Sequence, residues 1–163
     1  MGSMVCVGPS SFKLLALLML QLKSRQQKEN MQMRKIEKVI IHCSDTPESM
    51  DVGADIIDRW HRDRGWDEIG YHFVIKRDGT VEPGRSFMKA GAHTKGENEN
   101  SLGVCLIGGR GGRFDYTVQQ FESLKLLTNS IKTIFGPVEI AGHNEYSEKT
   151  CPNFNVKQWF GNN

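Results

Sequence analysis

Five histidines and four cysteines carry most of the metal-binding and nucleophilic capacity of this 163-residue chain. His42 closes a β-branched run, KVIIHCS, and His143 opens the polar stretch HNEYSEKTCPNF, in which Cys151 follows eight positions later beside Pro152. Two imidazoles and a thiolate drawn from separate elements are the kind of set that holds a catalytic zinc and leaves its fourth position to water. His-x7-Cys is not a zinc-finger spacing, so at this level a metal site and two unrelated polar loops both stay open. His61, in WHRDRGW, belongs to a solvated helix, and His72 alternates away from Tyr71; both read as structural or surface histidines. Cys43 and Cys105 fall in apolar runs and read as buried, reduced thiols. No CxxC pair marks a zinc ribbon, and four scattered cysteines do not build a disulfide framework.

The elements that must position these groups follow from pattern. Lys38 to Ser44 reads as a buried strand, with His42 on the face of Ile40 and Cys43 on the other. Val52 to Arg64 reads as a helix capped by Asp51, apolar at Ile56 and Trp60, and stopped by Gly65. Gly70 to Arg77, Asp78-Gly79 and Thr80 to Glu82 make a hairpin whose turn needs positive φ, with Tyr71, Phe73 and Ile75 sharing one face. Leu102 to Ile107 is a further strand, leading into Gly108 to Gly112. That loop has neither the Walker nor the dinucleotide spacing and reads as a turn. Thr117 with Gln120 is a capping box for a long helix carrying Phe121, Leu124, Leu127, Ile131 and Ile134, ended by Gly136-Pro137. Val138 to Ala141 is a last short strand delivering His143, and Val156 to Phe160 a terminal helical turn. Strands alternating with helices give an α/β (α+β) class with a central mixed sheet flanked by helices.

Composition sets the outer limits. Charged residues are 25% and hydrophobic residues 38%, ordinary for a soluble globular chain. Residues 1–36 hold six basic side chains against Glu29 alone, while the remainder holds 15 basic and 18 acidic ones. The net charge of +2 therefore comes from the leader, and the rest lacks the bulk charge that drives nucleic-acid binding. The apolar run from Leu14 to Leu20 is too short to span a bilayer, and no small-x-small site follows it, so neither a transmembrane segment nor a signal peptide is expected. The organisation read here is a leader over residues 1–35, dispensable for catalysis, and one functional domain over 36–163.

Taken together, IIHCSDT, DRWHRDRGW, GYHFVIKRDGTVEPGR, AGAHTKGENENSLGVCLIGG, AGHNEYSEKTCPNF and KQW resemble the type 2 N-acetylmuramoyl-L-alanine amidases, and among them the phage T-seven lysozyme-like endolysins. The likeness runs from about Ile36 to Trp159 and extends to the fold of the peptidoglycan recognition proteins. It implies a zinc-dependent amidase that cuts between N-acetylmuramic acid and L-alanine in bacterial peptidoglycan, with one Zn2+ on His42, His143 and Cys151. It also implies catalytic roles for Tyr71 and Lys149 and a substrate contact for His93, with Asn100 and Ser101 as further polar contacts or turn residues.

These implied roles suit the chemistry. Zinc lowers the pKa of a bound water toward about 7, Lys149 offers positive charge to an oxyanion, and the Tyr71 hydroxyl orients water or hydrogen-bonds the same centre. The resemblance further implies synthesis in a host cytoplasm with action on the wall, and it brings a second candidate partner, a phage RNA polymerase. The rival reading is a peptidoglycan-binding module without turnover; animal relatives that only bind have lost the ligand cysteine, which here is retained as Cys151.

Overall fold

In the computed structural model the run Lys38–Cys43 forms β1, the strand on which the site is built. The structure describes residues 34–161 together with 19, 21 and 22, so nearly all of the leader reading, Cys6 included, lies outside the described residues. After β1 come α1 (Ala54–Asp63), β2 (Phe73–Ile75), β3 (Val81–Pro83), β4 (Ser101–Leu106), α2 (Val118–Phe135), β5 (Glu139–Gly142) and α3 (Val156–Gly161). The sheet order is β3-β2-β4-β1-β5. β1 pairs in parallel with both β4 and β5, β2 pairs in parallel with β4, and only edge strand β3 is antiparallel. The expected mixed α/β sheet is thus present.

Parallel strands are covered on both faces, and β1 and β4 accordingly read as continuous apolar runs rather than alternating ones. Val39, Ile41, Leu102, Val104 and Leu106 pack with Leu124 and Ile131 of α2 and Val156 of α3. On the opposite face, Val74, Cys105 and Ile107 pack with Ile57 of α1 and with Ile69. The capping box is formed: the Thr117 side chain accepts from Gln120 N while the Gln120 side chain accepts from Thr117 N. The buried Gln120 amide also donates to the carbonyls of Ile75 and Ile107, joining α2 to the ends of β2 and β4.

Three local expectations are corrected. Asp51 does not cap α1; its carboxylate accepts from Arg77 N, and the first-turn amide of Ala54 donates to Glu82 of β3, a partner 28 residues away. In the hairpin only Gly79 has positive φ, because Gly79 N closes a turn on Lys76 O and leaves Asp78 in ordinary backbone. Tyr71 does not share the face of Phe73 and Ile75: β2 begins at Phe73, and Tyr71, ahead of the strand and free of its alternation, packs with Val74 beneath α1.

The compact unit begins at Arg34. Its guanidinium donates to the carbonyls of Phe87, Asn98, Glu99 and Ser101. We expect a chain beginning at Met33 to match the full length in stability and in cleavage of soluble wall fragments. One beginning at Ile36 leaves those carbonyls without their charged donor and should lose about 1–3 kcal/mol. Urea unfolding of the three chains measures this, and equal midpoints would show that Arg34 is ornamental.

Candidate active site

His42 sits near the carboxyl end of β1, held between the register partner Cys105 on β4 and the neighbouring strand β5. It is 1% exposed. β5 ends at Gly142, so His143 begins a single 3-10 turn, His143–Glu145, fixed by the Glu145 carboxylate accepting from Gly142 N at 2.8 Å. The chain then loops back, and Asn144 N donates to Cys151 O at 2.7 Å, which ties the arm bearing Cys151 to the arm bearing His143. Backbone Cys43 N donates to Cys151 Sγ at 3.2 Å. One ligand atom from each of His42, His143 and Cys151 lies within 4.8 Å of the other two.

This donor set fits zinc. Nitrogen, nitrogen and sulfur are the borderline-soft ligands zinc accepts, and three protein ligands with an open fourth position mark a catalytic rather than a structural centre. His42 turns Nδ1 toward Cys151 Sγ, 4.0 Å away, while its Nε2 is occupied elsewhere. Burial, then the neighbouring His93, His143 and Lys149, hold the His42 imidazole well below its ordinary pKa, and burial followed by Lys149 lowers His143. Both are therefore neutral at pH 7, the form that can coordinate. The thiol of Cys151 is pushed up, first by its hydrogen bond with the Cys43 thiol and then by burial. An adjacent cation is what would convert it to thiolate.

The three residues border a groove of about 520 Å³, within the usual range for ligand sites. Tyr71 and Lys149 line the same groove. The Tyr71 ring lies 5.1 Å from that of His42, and its hydroxyl is kept protonated by burial, so it stays a donor. His93 also reaches the groove, but its ring nitrogens are already engaged: Nδ1 is 3.0 Å from both His42 Nε2 and Thr94 Oγ1, and Nε2 is 3.4 Å from Ser101 Oγ. Asn100 and Ser101 are not brought to the groove. Asn100 donates to Glu37, and Ser101 is fully buried, donating to Glu97 O.

Sequence reasoning missed several lining residues. His61 is not on a solvated face; it is 5% exposed, accepts from Gly70 N through Nδ1, stacks on Trp66 and borders the groove beside Tyr71. The signal was its spacing from Ile57, four residues earlier, the other buried position of α1. Cys43 is only half buried and touches Cys151 instead of lying in the core. Gly109, Gly111 and Gly112 also line the groove, each with positive φ.

The endolysin of Escherichia phage T7 is 43% identical over 136 residues, spanning 81% of this chain and 90% of that protein. Among solved structures, the N-acetylmuramoyl-L-alanine amidase LysC from Clostridium intestinale URNW matches with a TM-score of 0.69 at 27% identity, covering 79% of this chain and 87% of its own. Bumblebee PGRP-SA matches with a TM-score of 0.68 at 28% identity, covering 78% and 81%. The Amidase_2 family, described as N-acetylmuramoyl-L-alanine amidase, matches residues 32–154. With that match spanning most of the chain and the T7 relative covered over 90% of its own length, the chain belongs to the N-acetylmuramoyl-L-alanine amidases.

Proposed function

We propose that this peptidoglycan amidase hydrolyses the bond between N-acetylmuramic acid and L-alanine with one zinc ion on His42, His143 and Cys151, and with Tyr71 and Lys149 acting on the reacting amide. The observation that carries the reading is convergence. Three ligand atoms within 4.8 Å lie on a groove that also presents a protonated phenol and an ammonium.

Zinc, when bound, supplies a Lewis acid that polarises the amide carbonyl and makes water nucleophilic near neutral pH. The protein's own residues do the rest. Lys149, two positions before Cys151 and thus fixed close to the ligand set, offers positive charge where negative charge develops on the carbonyl oxygen. Tyr71, whose ring lies 5.1 Å from that of His42, presents an O–H donor to the groove that Lys149 also lines, so the two can address one centre. Cys43 N, donating to Cys151 Sγ, holds the sulfur in place and stabilises its anionic form.

The products of peptidoglycan digestion test this directly. Mass spectrometry should find stem peptides with a new amino-terminal L-alanine and glycan strands with free lactyl carboxyls, without new reducing sugar ends. New reducing ends would make the enzyme a glycosidase, and tight adsorption to the wall with neither product would leave only the binding-module reading.

A further inference from the structure

His93, partly buried at the edge of the groove, is a histidine that the mechanism above does not use, and its surroundings are built for it. Its ring lies against the backbone of Gly103 on β4, where an added Cβ would come within 2.6 Å of the ring carbons. The loop that carries it is pinned by Asn98, whose side-chain oxygen accepts from both His93 N and Thr94 N, at 2.9 and 3.0 Å. Thr94 is 2% exposed, and its hydroxyl lies 3.2 Å from His42 Nε2.

One proton assignment satisfies this cluster. With His42 Nδ1 turned toward Cys151, Nε2 carries the proton and must donate; His93 Nδ1 and Thr94 Oγ1 are the acceptors in reach. His93 Nδ1 cannot then carry a proton of its own, since two N–H groups would face each other at 3.0 Å. The His93 proton sits on Nε2, toward Ser101 Oγ, and Ser101 passes its own hydrogen to Glu97 O at 2.7 Å. The chain of donors thus runs one way, from His42 to a backbone carbonyl.

We infer that His93 and Thr94 are positioning residues for the metal ligand His42, fixing its tautomer and ring plane through Nε2, and that His93 is not a substrate contact. The inference rests on the zinc reading above. Ligand histidines whose second nitrogen is held in this way typically lose about 10- to 100-fold in metal affinity when the partner is removed.

The test uses the full chain and zinc alone, with affinity measured by competition against a chromophoric chelator. Thr94→Val and His93→Phe should each weaken zinc binding by about 10- to 100-fold, whereas Thr94→Ser, which keeps the hydroxyl, should stay near the wild type. The visible absorption of the Co(II)-substituted protein should shift in the first two variants and not in the third. KM for a soluble wall fragment should hold steady in the zinc-saturated proteins. If His93→Phe does not fold, Thr94→Val carries the test, because it exchanges a hydroxyl for a methyl of similar size. Wild-type zinc affinity in Thr94→Val and His93→Phe, or a rise in KM with affinity unchanged, overturns the inference while leaving the ligand set intact. Failure of the unaltered protein to bind zinc would instead remove the zinc reading and this inference with it.

Discussion

Replacing His143 with Ala should strip the protein of most of its zinc and take activity to background. His143 has no substitute in place: among the described residues the groups that could hold a metal comprise only His42, His143 and Cys151. A ligand that binds only the folded state at about a thousand times its Kd stabilises it by about 4.1 kcal/mol. His143→Ala should therefore unfold earlier than the zinc-loaded wild type by about that amount at that excess of zinc. It should lose much less relative to the metal-stripped wild type, because His143 lies outside the apolar clusters that hold the sheet to its helices. Full zinc occupancy in the variant, read by elemental analysis, would sink the ligand assignment.

Tyr71→Phe and Lys149→Ala should keep their zinc and lose turnover. Neither belongs to the convergent ligand set, yet both line the groove. Removing one preorganised donor from the site of a developing oxyanion typically costs about 10²- to 10³-fold in kcat, or roughly 2.7–4 kcal/mol. Both variants should accordingly adsorb to peptidoglycan and cleave it slowly. A rise in KM at constant kcat would mean that these side chains only hold substrate. Unchanged rates in both would show that the metal centre suffices and that the roles implied by resemblance do not apply.

What could be read from sequence was what local chemistry decides. The run KVIIHCS could only be a buried strand, and the Thr117–Gln120 box opens α2 where its spacing places it. Resemblance named the three residues whose ligand atoms the structure brings together, although 109 positions separate His42 from Cys151. The errors share a cause, since each depended on a partner far along the chain. The first turn of α1 takes its carboxylate from Glu82 instead of Asp51. Tyr71 departs from strand alternation because the pairing of β2 with β4 starts at Phe73. His93 does line the groove, where the resemblance puts it, and what the sequence could not show is that both its ring nitrogens face His42, Thr94 and Ser101, residues on β1, on the same loop and on β4. His61 was the one misplaced residue with a local clue, the four-residue step from Ile57.

The proposed catalysis depends on a metal held on His42, His143 and Cys151. Its most direct test strips the purified protein with a chelator, returns zinc stepwise, and counts the L-alanine amino groups freed from peptidoglycan at each step. Almost no release is expected without metal, and a linear rise that levels at about one equivalent of zinc per chain, the number that three ligands on one site allow. Undiminished release from protein verified as metal-free would contradict it.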